Sequence, residues 1–407
     1  MGSDLPFKEI KYDVSIWHAL ANKPNTIFLD GCERYSYILI NPRKIWHKWR
    51  TWPEDTIISK HPELPPFQGG IAGFLSYDLA HQFNPTKNHL NSTPKIICGL
   101  YEQLFAFDHQ KQQAWKIWQN QEPEIPEAIS AQGMKFNDIN QEFGENNYIK
   151  LVQDIKERIL NGDVYQVNIS ENFRVSGNFR PNDIYRRMRN ISPAPFSCFA
   201  NFGEFSILSS SPERFLKICD NKITTYPIKG TVERLQAPDL DEENKTWLLA
   251  SKKDKAENIM IVDLMRSDFS KFCEPNSVVV EELCELYSFT NVHHLISTVS
   301  GQLLAHKNVF DALEACMAAG SITGAPKAMA MDIISQIEQK ARGPYCGHVF
   351  WTDGINLDSN ILIRTAVATA NQLSFRVGGG ITHLSDPVAE YREVLAKAKN
   401  LITLCSQ

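Results

Sequence analysis

The stretch Tyr148 to Ser170, YIKLVQDIKERILNGDVYQVNIS, changes its apolar period halfway along. From Tyr148 to Leu160, Ile149, Val152, Ile155 and Ile159 recur at helical spacing, and Asn161-Gly162 supplies a stop signal. Beyond it Tyr165, Val167 and Ile169 alternate with Gln166, Asn168 and Ser170, as in a strand with one polar face, and that face could line a site. Helical patterns return around Asp254 to Phe269 and Pro326 to Glu338. Leu373 to Val377 reads as a strand running into Gly378-Gly379-Gly380 before a final helix. The class is mixed α and β. Upstream, residues 5 to 108 mix short apolar runs with turn signals, notably Pro65 to Phe74, and read as strands and turns. From about His109 to Asn147 the chain becomes Gln-, Glu- and Pro-rich with weak periodicity, which predicts a linker or long excursion.

The 407 residues leave room for two or three domains or one large one. With 42 basic against 47 acidic residues, a net charge of −5 and no long basic tract, nucleic acid is not the expected partner. No apolar run approaches the roughly 18 residues of a membrane span. The nine cysteines are odd in number and never spaced C-x-x-C, which argues against a disulfide framework and a structural zinc site. Met1 to Asp13 lacks the apolar region of a secretory signal. The expectation is a reduced, cytoplasmic protein that does not enter the membrane.

In the final helix Asp386 can cap, Pro387 suits the first turn, and Tyr391, Val394, Leu395, Ala398 and Leu401 form a buried stripe. Glu390, Glu393 and Lys397 share another stripe, within about 60° on a 3.6-residue helix; a solvated ion-pair face would look the same. Asp254 and Glu257 repeat the i, i+3 spacing just before Ile259 to Val262, so Glu257 sits close to buried surface and wants a partner. If the two acidic helices face each other, Glu257 and Glu393 would bind a hard divalent ion, and magnesium suits few protein oxygens. Gly320 to Lys327 lacks the G-K-[ST] of a nucleotide loop, yet its small residues leading into a helix offer free N–H groups that suit a carboxylate. A tight helix entry for packing is the plainer alternative. Lys229, in Tyr226-Pro227-Ile228-Lys229-Gly230-Thr231, points inward or lies on a surface edge strand. Glu213, after Ser209-Ser210-Ser211-Pro212, is a general acid aimed into a cleft or an ordinary turn glutamate. Of His293-His294, a histidine beside an apolar run is more often a core hydrogen-bonder than a catalyst.

In chain order these segments, Ser211-Pro212-Glu213-Arg214, Pro227 to Thr231, Met260 to Leu264, Gly320 to Lys327, Arg342-Gly343-Pro344-Tyr345-Cys346-Gly347, Ile363-Arg364-Thr365 and Ser385-Asp386-Pro387, resemble the chorismate-utilising enzymes. The resemblance covers Tyr148 to Leu404, with a weaker match through Pro66 to Gly73 and Ser76-Tyr77-Asp78. It implies an α/β sandwich of two β-sheets flanked by helices, an N-terminal portion 1–140 and a chorismate-binding portion 141–407 forming one intertwined unit. It further implies that Glu257 and Glu393 hold Mg2+, with Glu390 and Asp254 in support. Tyr345, Arg364, Gly378, Gly380 and Lys397 would hold carboxylate groups, with Gly230, Thr231 and Thr323 also at the substrate. Glu213 would be the general acid, and His294 would lie by the ring.

Two positions discriminate within the family. Gln166 stands where the water-adding isochorismate and salicylate branches have lysine, and Lys229 where the anthranilate branch usually has alanine. The resemblance therefore implies conversion of chorismate and ammonia to 4-amino-4-deoxychorismate, on the way to para-aminobenzoate and folate. The alternatives are the anthranilate branch and a non-catalytic binding paralogue. As the nucleophile Lys229 must act as a neutral amine, which calls for a dry pocket or a neighbouring cation. No glutaminase signature is visible, so ammonia should come from a separate glutamine amidotransferase subunit. A chain ending just after the final helix leaves the lyase step to a separate aminodeoxychorismate lyase. The chain departs from the family pattern at Asn258, usually His, at Arg266 to Ser270, and at Phe28-Leu29-Asp30-Gly31, which replaces the L-L-E-S of a tryptophan pocket.

Overall fold

The computed structural model describes residues 5–31, 34–53, 58–84, 86, 89, 93–127, 130, 133–289 and 292–406; Met1 to Asp4 and Cys32 lie outside them. Two antiparallel sheets face each other. Among the described residues the first has thirteen strands, and its path runs from Phe7–Ile10 through Gln113–Trp118, Gln103–Asp108, Tyr35–Ile40, Thr26–Asp30, Phe196–Asn201, Ser206–Ser211, Thr365–Ala368, Gln372–Ile381 and Gln166–Asn178 to Asn140–Gln141. The second has ten, running from Ile228–Glu233 through Val292–Gln302, Lys222–Thr225, Arg214–Cys219, Leu357–Asn360, His348–Thr352, Gly70–Leu75 and Ile96–Tyr101 to Lys44–Trp46. Strands from both sides of residue 140 enter both sheets.

Three apolar cores account for the layering. Between the sheets, Ile27, Leu29, Leu39 and Ala106 of the first pack with Ala72, Phe74, Val349 and Trp351 of the second. The outer face of the first sheet is covered by the helices Gly144–Leu160, Pro181–Ile191, Lys327–Glu338 and Pro387–Cys405, and that of the second by Lys252–Phe269 and Val309–Cys316. This is the two-sheet sandwich flanked by helices that the sequence led one to expect. No helix among the described residues is long and apolar enough to cross a membrane.

The helix predicted from Tyr148 starts a turn earlier, at Gly144, because the buried Glu171 carboxylate accepts from the N–H groups of Glu142, Phe143 and Gly144 at 2.8–3.2 Å. It ends at Asn161 and a left-handed Gly162. Asp386 caps the last helix by accepting from Ala389 N at 2.8 Å, and Tyr391, Val394, Ala398 and Leu401 are buried as expected. Two expectations change. Residues 109–147 are more than a linker, because Gln113–Trp118 pairs with both Phe7–Ile10 and Gln103–Asp108. The strand after Gly162 keeps its polar residues Gln166, Asn168 and Ser170, all of them buried, but Tyr165 precedes it and is 72% exposed instead of joining the apolar face.

Candidate active site

The strand Ile228–Glu233 lies at the edge of its sheet, and its register with Val292–Gln302 breaks between Lys229 and Thr231. Gly230, at the break, has φ +82°, and a Cβ there would come within 2.9 Å of Asp254 Cβ, so the bulge needs glycine to let the helix Lys252–Phe269 lie close. The Lys229 side chain is only 14% exposed, so it is not a surface lysine on an edge. Its ammonium stands 3.8 Å from Glu257 Oε2. Of the two settings that would favour a neutral amine, a dry pocket or a neighbouring cation, the first is present, and the nearest charge is an anion. From the other sheet Gly380 closes in: a Cβ on it would sit 3.4 Å from Lys229 Nζ and 2.5 Å from Gln166 Nε2. Neither amide atom of the buried Gln166 has a hydrogen-bond partner among the described residues.

Glu213 follows the strand Ser206–Ser211 and is buried. Its backbone is pinned, with its N–H donating to Ser211 Oγ at 3.2 Å and its carbonyl accepting from Ile361 N at 3.0 Å. Ser321 Oγ donates to Glu213 Oε1 at 3.0 Å. Burial pushes the carboxyl up to about 7, opposed by the Ser321 hydrogen bond and the nearby Lys229 charge. An acid poised there is about half protonated at neutral pH and can give its proton away.

His294 Nδ1 lies 2.8 Å from Thr231 Oγ1, and burial together with the Arg364 charge lowers its pKa to about 4, leaving a neutral ring. His293 is the core hydrogen-bonder, held between Asp241 and Ser288. Arg364 has a left-handed backbone at φ +49°. Burial lowers its pKa, and its guanidinium has no hydrogen-bonding or ion-pair partner among the described residues. A part-buried cation without a partner is poised for an anion.

The acids of the two helices converge through lysines. Lys253 Nζ is 3.9 Å from Glu257 Oε1 and 3.7 Å from Glu390 Oε1, while Lys397 Nζ pairs with Glu393 Oε1 at 2.6 Å and donates to Gly378 O at 3.1 Å. Burial raises the Glu257 carboxyl above its usual range, reinforced by Asp254 and Glu390 against the opposing lysines. Burial also raises Glu393, but Lys397 outweighs it and the net shift is downward. Among the described residues no three His, Cys, Asp or Glu side chains close a metal cage by themselves. Yet Glu257 Oε1 is a buried oxygen without a hydrogen bond, near the carboxylates of Asp254 and Glu390 as well as the ammonium groups of Lys229 and Lys253. That donor set fits a hard divalent cation shared with a ligand carboxylate. Asp254 is taken up by the helix cap, accepting from Ser251 Oγ at 2.5 Å. Asn258, where the family pattern has His, is buried and ties the acidic helix to Pro227, Leu295 and Ser297.

Other expected residues sit behind this surface. Thr323 is fully buried, and its hydroxyl donates to Ala319 O at 2.8 Å; the side chain of this loop that reaches the acid is Ser321, which sequence reading did not single out. Within the loop the N–H groups of Ile322 and Thr323 donate to Ala319 O and Gly320 O at 3.2 and 3.4 Å, and Lys327 is paired with Asp268 at 2.5 Å. Tyr345 is buried beside Arg342, whose guanidinium carbon lies 5.5 Å from its ring centre and 4.9 Å from that of Tyr77. Arg342 makes a bidentate pair with the buried Glu338 at 2.7 and 3.0 Å, and donates to Ile322 O at 3.0 Å and Asn168 O at 2.9 Å. Asp78 accepts from the N–H groups of Arg342 and Gly343 at 3.2 and 2.8 Å.

Residues 19–403 match the family described as chorismate binding enzyme. The aminodeoxychorismate synthase component 1 of Klebsiella aerogenes is 36% identical over 359 residues, 84% of this chain and 78% of the relative. Anthranilate synthase component 1 of Saccharomyces cerevisiae is 32% identical over 413 residues, 90% of this chain and 82% of the relative. Among solved structures, anthranilate synthase component I from Streptococcus pneumoniae superposes with a TM-score of 0.79 at 28% identity, covering 90% of this chain and 91% of that one.

Proposed function

The chain belongs to the chorismate-binding enzyme family, and we propose that it converts chorismate and ammonia to 4-amino-4-deoxychorismate, the precursor of para-aminobenzoate. Relatives with that name are 35–36% identical over most of the chain. The observation that carries the reading is the mostly buried Lys229 amine, set beside Glu257 and within the charge of the Glu213 acid. The anthranilate branch usually has alanine there, and direct ortho amination needs no such amine.

In the first step the Lys229 lone pair forms a C–N bond ortho to the ring carboxylate. The ring double bonds shift and the para C–O bond breaks. The Glu213 proton goes to the departing oxygen, which leaves as water. Ammonia then attacks the para carbon, the double bonds shift back and the C–N bond to Lys229 breaks. The proton that ammonia loses restores the Glu213 acid. Because the Lys229 ammonium faces Glu257 at 3.8 Å, that ion pair must open and the ammonium must lose a proton to water before its lone pair can attack. Glu257 and Glu393, supported by Glu390, would hold Mg2+, which when bound supplies positive charge for the ring carboxylate. Arg364 suits the second carboxylate, and neutral His294 beside Thr231 walls the ring. With both Gln166 amide atoms unpartnered and no lysine at that position, water addition is disfavoured.

The relatives' designation as component 1 supports a second component, proposed here to be a glutamine amidotransferase that delivers ammonia. The chain alone should then use ammonium salts and be inert with glutamine. The reading is tested by incubating the purified chain with chorismate, magnesium and ammonium salt and identifying the product with and without an aminodeoxychorismate lyase. Para-aminobenzoate that appears only with the lyase supports it, and anthranilate without the lyase overturns it.

A further inference from the structure

We propose that Ser321 is a positioning residue for the Glu213 acid: its hydroxyl aims the carboxyl at the leaving oxygen and donates to the carboxylate that proton transfer leaves behind. The inference rests on the reading of Glu213 as general acid. Ser321 is the only side-chain hydrogen-bond partner of the Glu213 carboxyl among the described residues, at 3.0 Å. The 3-10 turn that presents it, Gly320–Ile322, is fixed from several directions. Gly320 packs so closely on the acidic helix that a Cβ would fall 2.3 Å from Leu264 Cδ2. Ile322 O accepts from Arg342 Nη1 at 3.0 Å, and Thr323 O accepts from Asn168 N at 2.7 Å. Arg342 is itself locked by Glu338 and by Asn168 O. A donor held this rigidly needs no reorganisation when charge appears, which is what stabilisation of a developing carboxylate requires.

The chemistry gives the bond its direction. As the Glu213 O–H bond breaks and the proton joins the departing oxygen, negative charge grows on the carboxyl. A hydrogen bond to an ionised acceptor is roughly twice as strong as one between neutral groups. Ser321 therefore donates more strongly in the transition state than in the ground state, the condition for raising kcat. The other groups acting on Glu213 are Lys229 from the strand Ile228–Glu233 and the Cys346 thiol, which burial pushes up to about 12 and which stays neutral.

The test follows chorismate consumption by the full chain with magnesium at fixed free ammonia, as a function of pH. Ser321→Ala should lower kcat about 10- to 100-fold with KM changed less than about threefold. Its basic limb should move to higher pH, because the lost bond favoured the carboxylate. Ser321→Thr should restore most of the rate, and Ser321→Cys, a weaker donor of similar size, should fall between, so the series is readable even if the alanine variant folds poorly. In a Glu213→Gln background Ser321→Ala should change nothing further. A wild-type kcat with an unmoved limb in Ser321→Ala, or a further loss in the Glu213→Gln background, overturns the proposal. If Glu213→Gln itself keeps the wild-type rate and limb, the acid assignment fails instead, and that outcome is visible before Ser321 is touched.

Discussion

The Lys229 ammonium and the Glu257 carboxylate face each other at 3.8 Å, one from an edge strand and the other from the helix packed against it. The proposed nucleophile and the proposed metal ligand are thus each other's counter-ion. Whatever takes over Glu257 releases Lys229, so filling the acidic cluster and freeing the amine become one event. This coupling makes the two residues testable together.

Glu257→Gln should cost at least about a hundredfold in turnover, since the cation it would hold supplies several kcal/mol of charge stabilisation. Glu393→Gln should behave alike. Stability should change little in the Glu257 variant, because relief of the buried carboxylate offsets the loss of the Lys229 counter-ion. Full activity of either variant in a chelated buffer would end the metal reading.

Activity at fixed free ammonia should fall as pH rises through about 7, where the Glu213 acid gives up its proton. Stability follows the same group. Its folded pKa lies above the unfolded value, so its contribution is complete below the unfolded pKa of about 4.3 and is lost as pH rises towards the folded value. Glu213→Gln should therefore keep only a small, measurable residual activity yet be more stable than wild type at pH 8 in thermal melts. A melting temperature that drops at pH 8 but not at pH 4 would reverse the sign and refute the raised pKa.

Gly380→Ala and Gly378→Ala should part company. At Gly380 the new methyl meets the flexible end of Gln166 at 2.5 Å and Lys229 Nζ at 3.4 Å, so the fold survives and kcat/KM falls at least about tenfold. At Gly378 it meets the backbone oxygen of Ile169 at 2.2 Å, which the sheet cannot yield cheaply. Urea unfolding should show the second variant destabilised and the first nearly unchanged; equal losses would contradict the geometry.

Arg342→Leu should lower the unfolding free energy by about 3–5 kcal/mol, because Glu338 is left buried with the more distant Arg376 at 3.5 Å as its cation and, among the described residues, only the neutral donors of Ser170 beside it. A loss below about 1 kcal/mol in urea titrations would show the pair to be structurally idle.

Much of this architecture was legible wherever a strong period survived. The helix at 144–160 and the C-terminal helix follow from their apolar stripes and end signals, and the two carboxylate faces from i, i+3 spacing alone. Gln113–Trp118 escaped notice because six residues inside a Gln- and Glu-rich stretch give too short a period, and its buried state depends on partners on either side. Lys229 and Glu213 were ambiguous by spacing and became specific only through family resemblance, because their burial is made by segments remote in sequence. Ser321 was invisible, since nothing local tells that residue 321 touches residue 213. The unpaired state of Arg364 is likewise a fact about the space around it. Thr323 shows the reverse case, a motif residue whose hydroxyl closes its own turn.

The most direct measurement is intact-mass analysis of the full chain after incubation with chorismate and magnesium in the absence of ammonia, followed by peptide mapping. An amine that attacks the ring must form a covalent adduct, so the account predicts a modified chain whose added mass maps to Lys229, disappears on adding ammonium salt and is absent from Lys229→Ala. An unmodified wild-type chain, together with para amination at the wild-type rate by Lys229→Ala, would contradict it.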